Sequence, residues 1–222
     1  MTSETLQAET AAVLFSGGRH SSLAACLVAD TCAHVDLLTT RNGATVGTGI
    51  IAHRVRELRN QFPSIRKHVI RETFGLFRRI AFANIEEDFA TYRRNLILLG
   101  DSLVSHTEAI LYCRREKIPL LVSGVVRYKE HALQQMPAAN AAVRQFVEQY
   151  GIEYRMPLLR YETVDAVKYA LFEFGVSTKS LEACSLFDDT YSTADAGTVA
   201  RYIAAKQATC EQYLRRRGVV PE

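Results

Sequence analysis

The chain is poor in cysteine, and none of its cysteines is paired in sequence. The five, at positions 26, 32, 113, 184 and 210, include no C-x-x-C pair, which argues against a disulfide scaffold and against a tetrahedral zinc site. An excess of one charge is also missing. Against 27 Lys and Arg stand 24 Asp and Glu, a net +3, too balanced for a protein whose main task is coating nucleic acid. No apolar run approaches the ~20 residues that span a bilayer. The opening MTSETLQAET lacks the basic and then apolar order of a signal peptide. With 12 Gly and 5 Pro and no repeats or low-complexity tracts, collagen-like and disordered classes are set aside. The expectation is a cytoplasmic protein with reduced thiols.

What is present is ordinary globular material. A chain of 222 residues, 48% hydrophobic, suits a single domain with a substantial core. Ala11 to Phe15 is a short apolar run that stops at Ser16-Gly17-Gly18. From Ser21 to Ala29 the apolar positions Leu23, Ala24, Leu27 and Val28 recur at helical spacing. The order is strand, glycine turn, helix.

The alternation then repeats. His34 to Thr40 reads as a strand, Thr48 to Phe62 as an amphipathic helix ended by Pro63, and Ile65 to Ile70 as a weaker strand. Residues 74–92 read as irregular or a short helix outside the alternation. A long helix is predicted from Arg94 to Arg115 and a strand over Pro119 to Val126. A polar loop over 127–137 follows, then a helix over 138–150, a strand from Glu153 to Leu158, a helix through Val164 and Phe174, and a last helix from Asp195 to Arg216. The implied fold is α/β and doubly wound, with a mainly parallel five-stranded sheet covered by helices on both faces. It forms one domain over 1–222, with a core at about 11–190 and a helical C-terminal extension over 191–222.

In such a sheet a ligand sits beyond the carboxyl ends of the strands. The loop Ser16-Gly17-Gly18-Arg19-His20-Ser21-Ser22 lies there. Its glycines let backbone N–H groups form an anion nest, a helix N-terminus follows, and Ser16, Ser21 and Ser22 add hydroxyls. The same residues also suit a plain strand-to-helix turn. The loop is neither a Walker-type loop nor a GxGxxG fingerprint.

Ser16-Gly17-Gly18-Arg19-His20-Ser21 after an N-terminal strand resembles the SGGxDS signature of the PP-loop ATP pyrophosphatases. Within that superfamily Thr91-Tyr92-Arg93-Arg94-Asn95, Leu121-Val122-Ser123-Gly124-Val125 and the stretch from Gly175 to Ser185 are similar to the 7-cyano-7-deazaguanine synthase branch. The resemblance covers about residues 11–190 and implies the adenine nucleotide alpha hydrolase-like fold. It also implies adenylation of a carbonyl oxygen, ATP with Mg2+, and a homodimer. The chain departs from the branch in three ways. His20 replaces the motif aspartate, only Cys184 and Cys210 remain where four zinc cysteines would be, and the substrate loop reads Tyr128-Lys129-Glu130-His131 and Gln134-Gln135-Met136-Pro137. No zinc is therefore expected.

These departures resemble the 6-thioguanine synthetase type. The implied substrate is a guanine-type purine whose six-position oxygen is adenylated and then replaced by sulfur from a cysteine or persulfide donor. The resemblance puts ATP on Ser16, Gly17, Gly18, His20, Ser21, Ser22, Arg94, Asn95 and Gly124, and the purine near Lys129, Glu130 and Gln135. Cys113, flanked by Arg114, Arg115 and Lys117, is the candidate sulfur carrier; equally, it reads as a small buried hydrophobe near a helix end. Cys184 is the second thiol candidate. Arg94 and Lys129 read equally as solvated surface residues. Three rival readings stand beside this one: transfer-RNA thiolation, nitrile formation from a carboxylate, and a degenerate nucleotide sensor. Nucleic acid and membrane are not expected partners.

Overall fold

The computed structural model describes residues 9–181, 184–187 and 192–222, with Thr48, Cys184 and Ser185 described by their backbone alone. Along the chain run β1 (Thr10–Leu14), α1 (Arg19–Ala29), β2 (His34–Arg41), β3 (Thr45–Val46), α2 (Thr48–Gln61) and β4 (Ile65–Glu72). Next come α3 (Phe74–Phe77), α4 (Ile85–Tyr92), α5 (Ile97–Glu116), β5 (Leu120–Val122) and α6 (Pro137–Glu148). The chain closes with β6 (Glu153–Arg155), α7 (Val164–Glu173), β7 (Cys184–Ser185) and α8 (Ala196–Arg215).

Five strands form one sheet in the order β4-β2-β1-β5-β6, and each neighbouring pair is parallel. The side-chain period of two divides each strand between two cores. Ala11 and Val13 of β1, Val35 and Leu37 of β2, and Leu120 and Val122 of β5 face the core that α1, α2 and α7 complete. Ala12, Leu38, Leu121 and Tyr154 face the opposite core, closed by α5, α6 and α8. The expected α/β sheet with helices on both faces is thus the observed fold.

The differences in detail have local causes. Residues 74–92 are mostly helical: α3 runs into a π-helical turn at Arg78–Phe82, and α4 follows. Leu76, Phe77, Ile80 and Ala81 are buried against α5, while α4 buries no residue, which is why its sequence carries no clear apolar stripe. The long helix starts at Ile97 rather than Arg94, because the Asn95 side chain accepts the Ile97 N–H at 3.1 Å and ends the preceding turn. β5 stops at Val122; Ser123 N–H still reaches Arg155 C=O at 3.0 Å, and the chain then turns into the site. A two-stranded antiparallel ribbon, β3 with β7, was not predicted, since two-residue strands carry no periodicity. The C-terminal helix packs into the second core through Val199, Tyr202, Ile203, Cys210 and Leu214.

Candidate functional site at the carboxyl ends of the strands

Connections from β1 run outward through β2 to β4 and then cross back to β5, so the winding reverses between β1 and β5. At that switch point the loops part and leave a crevice. Here it is a cavity of about 290 Å³, floored by Leu14, Phe15 and Leu38. Thr39, Thr40 and Thr45 line one side, and Asp101, Ser102, Ser105 and His106 of α5 line another. Ser16, His20 and Ser21, Ser123 to Val125, Gln134, Gln135, Asn140 and Tyr154 complete it.

The glycine loop is shaped by its own contacts. Gly17 takes φ +79°, and a Cβ there would lie 2.6 Å from the Leu181 carbonyl oxygen. Only glycine fits. Ser21 and Ser22 hydroxyls both donate to the Gly18 carbonyl, at 3.2 and 2.7 Å, and Ser21 Oγ also accepts Ser16 N–H at 3.3 Å. Ser22 is fully buried, so it shapes the loop and does not face the crevice. Gly18 is the N-cap of α1 and offers no capping side chain. The first-turn N–H groups of α1 are thus left for an outside acceptor, with the helix dipole favouring an anion. Gly124 closes the other side: a Cβ there would meet the His20 carbonyl carbon and the Ser21 nitrogen at 2.8 Å.

His20 stands at the edge of this loop, with Nε2 2.5 Å from Tyr128 Oη. Burial, and after it the Lys129 and Arg19 cations, hold its pKa down to about 4, leaving the ring neutral at pH 7. Lys129 is therefore within electrostatic reach of the loop, whereas Glu130 is exposed. His106 is buried; its Nδ1–H donates to the Ser102 carbonyl at 2.7 Å, and Nε2 accepts Tyr154 O–H at 2.9 Å. Desolvation lowers its pKa to about 4. Asp101 accepts Asn42 Nδ2–H at 2.8 Å and is the carboxylate among the described residues lining the crevice.

Of the residues singled out from sequence, Ser16, Gly17, Gly18, His20, Ser21, Gly124 and Gln135 come together here. Gln135 Oε1 accepts Val126 N–H at 3.0 Å and pins the loop after β5. Arg94 and Asn95 do not join them: they line a separate hollow with Phe89 and Tyr202, and Arg94 donates to the neighbouring Arg93 carbonyl.

Cys113 is not brought to the crevice. It lies beside Ile118, Pro119, Gly151 and Ile152, which precede β5 and β6, so it sits at the amino ends of the strands. It is fully buried, and burial, with Asp36 adding to it, pushes its thiol up to about 12. Of the flanking cations, Arg114 and Lys117 line the same hollow, and Arg114 bonds the Tyr150 carbonyl at 2.9 Å. The side chain of Cys184 lies outside the described residues. Asp101, His106, Asn140 and Tyr154 had not been singled out, and Gln134 had been named only as part of the substrate loop. They come from three elements and the loop before α6, and no local motif joins them.

No protein-family model matches the chain, and no curated protein matches it. Solved structures do. A 4-thiouridine synthetase in complex with RNA and with ATP bound superposes with a TM-score of 0.59 at 14% identity, covering 91% of this chain and 53% of that one. The two share a fold. This chain spans about half the length of that synthetase, 53%. A "predicted subunit of tRNA methyltransferase" from Methanocaldococcus jannaschii DSM matches at a TM-score of 0.48 and 17% identity, over 80% of this chain and 96% of that one. Among the described residues no helix is long and apolar enough to cross a membrane, and no group of three His, Cys, Asp or Glu side chains is placed to hold a metal ion.

Proposed function

We propose that the chain is an ATP-dependent enzyme of the PP-loop type that adenylates the lactam carbonyl of a nucleobase and exchanges its oxygen for sulfur. A guanine-type purine is the acceptor and 6-thioguanine or its nucleotide the product. The observation that carries the reading is the uncapped N-terminus of α1, entered through Gly17 and Gly18, beside the crevice at the switch point. The shared fold with a synthetase solved with ATP supports it.

ATP is a substrate in this reading. Its phosphates would rest on the first-turn N–H groups of α1 and on Ser16, with Lys129 and Arg19 supplying positive charge. Mg2+ usually takes phosphate oxygens with one or two carboxylates rather than a full protein cage. Asp101 is the carboxylate in place for it, and the bound ion would neutralise charge on the phosphates. The acceptor oxygen attacks the α-phosphorus, pyrophosphate leaves, and the ring N–H beside the carbonyl gives up its proton. A sulfur nucleophile then displaces AMP at the ring carbon. Positioning and charge stabilisation supply most of the first step. His20 is neutral in the free protein and able to accept a proton once phosphates raise its basicity. Sulfur would come from cysteine by way of a persulfide: a second thiol forms a disulfide with the carrier and releases the outer sulfur as hydrosulfide, which adds at the ring carbon, and its proton passes to the ring nitrogen as AMP leaves. Cys113 lies at the other end of the sheet, so the steps at the crevice are derived without it.

A second reading has one observation in its favour: the 4-thiouridine synthetase was solved with RNA, which makes a base within RNA an acceptor to test. Pyrophosphate release and product mass, measured with ATP, Mg2+ and a sulfur donor, decide among guanine, GMP and transfer RNA. Release with guanine or GMP and an oxygen-to-sulfur mass change support the proposal. Release with transfer RNA alone supports the second reading, and ATP binding without turnover on any acceptor supports a nucleotide sensor.

A further inference from the structure

The wall of the crevice away from the glycine loop is built from Ser123, Gln134, Gln135, Asn140, His106 and Tyr154. At neutral pH none of these carries charge: burial holds His106 down to about 4 and pushes the Tyr154 phenol up to about 12. A carboxylate acceptor would find no cation on this wall. A neutral, planar, hydrogen-bonding ring suits it.

Three carboxamides lie in that wall, and two of them are engaged in building it. Gln135 Oε1 holds Val126 N–H, and Asn140 Nδ2–H donates to the Gln135 carbonyl at 2.9 Å. Gln134 differs. Its Oε1 is buried and has no hydrogen-bond partner among the described residues, although the residue lines the crevice. A buried acceptor without a donor is costly and is satisfied when a ligand brings one.

We propose that Gln134 is the residue that reads the acceptor, its Oε1 taking the ring N–H that flanks the carbonyl of a lactam base. This rests on the proposed function. Guanine and hypoxanthine present that N–H beside the six-position oxygen. Adenine presents a ring-nitrogen lone pair there, which would face the Gln134 oxygen without a proton between them. A site built around a hydrogen bond rejects the analogue that lacks it far more strongly than a site built on shape alone. Gln134 thereby separates oxo-purines from amino-purines, while the glycine loop handles ATP alone.

The test uses the full chain with saturating ATP and Mg2+. Pyrophosphate release is measured with guanine and hypoxanthine, and binding of these bases and of adenine is measured by calorimetry. Wild type is expected to turn over the two lactam bases and to bind them more tightly than adenine, which has no carbonyl oxygen to adenylate and is compared by binding alone. Gln134→Met, close in shape but without the oxygen, is expected to raise KM for guanine about tenfold or more, leave KM for ATP unchanged and narrow the guanine-to-adenine binding ratio. Gln134→Glu keeps an acceptor at the same reach and is expected to restore the preference; should Gln134→Met not fold, Gln134→Leu replaces it. An unchanged guanine KM and base preference in a folded Gln134→Met protein overturns the role of Gln134 and leaves the proposed function standing. If wild type neither binds nor turns over either lactam base, both fall.

Discussion

The two ends of the central sheet present opposite chemistry. At the carboxyl ends lie a glycine loop, an uncapped helix start and a crevice lined by hydroxyls, amides and neutral imidazoles. At the amino ends lies an open hollow lined by Cys113 with Arg114, Lys117, Ile118, Pro119 and Ile152, the thiol held protonated by burial. The cations around Cys113 in the sequence suggest a reactive thiol, yet the topology sets it at the end of the sheet away from the crevice. In a parallel sheet the connections decide which end a residue occupies, and only one end has loops that part.

The largest effect expected from breaking this contrast is at Gly124. A methyl group there meets backbone atoms of His20 and Ser21 at 2.8 Å, which have no side-chain freedom with which to yield. Gly124→Ala should lower pyrophosphate release by about 100-fold through displacement of the loop, and also lower Tm. Near-normal turnover would show that the first turn of α1 does not hold the phosphates.

The next effect is on stability in acid. His106 stays neutral in the fold down to about pH 4, whereas in the unfolded chain it gains a proton near its ordinary value of 6.5. Between those values the unfolded state binds more protons. Its contribution is therefore complete above pH 6.5, is lost as pH falls toward 4, and does not change further below. The loss is on the order of 3 kcal/mol. His20 acts in the same direction. Urea unfolding at a series of pH values should show this limb in the native protein and a shallower one in His106→Gln. An equal limb in both would remove His106 as its source.

The smallest effects belong to the amino end. Cys113→Ser should cost about 1–2 kcal/mol of stability by burying a hydroxyl while changing pyrophosphate release less than about twofold, since it adjoins neither phosphate nor base. Iodoacetamide at pH 8 should label it at least about 100-fold more slowly than a free thiol. Loss of thiolated product with pyrophosphate release intact would instead establish Cys113 as the sulfur carrier.

Much of the fold was legible because its strands are apolar on two faces and its helices carry apolar stripes, as in Ile51, Val55 and Leu58 of α2. The glycine loop was legible for a different reason: a positive φ and a close approach at Gly17 exclude other residues. The opposite wall was not. His106 and Tyr154 are 48 positions apart and meet only because α5 crosses β6. Arg94 and Asn95 lie before the helix and line a separate hollow, with the Asn95 side chain accepting the Ile97 N–H.

One contact links parts of the chain made far apart in time. Arg54 of α2 is fully buried and donates to the Ser177 carbonyl at 2.6 Å and to the Lys179 carbonyl. Glu57 binds the same guanidinium at 2.7 Å and accepts Ser177 N–H at 2.5 Å. Two residues beyond Lys179, the Leu181 carbonyl is what Gly17 packs against. All five strands of the main sheet have been synthesised by Arg155, but the guanidinium finds its carbonyls only more than twenty residues later. A nascent chain that has not passed Lys179 has every strand of the main sheet, but its Arg54 has Glu57 without the two backbone carbonyls and its glycine loop has no roof. The nucleotide end of the molecule is thus finished after the scaffold beneath it.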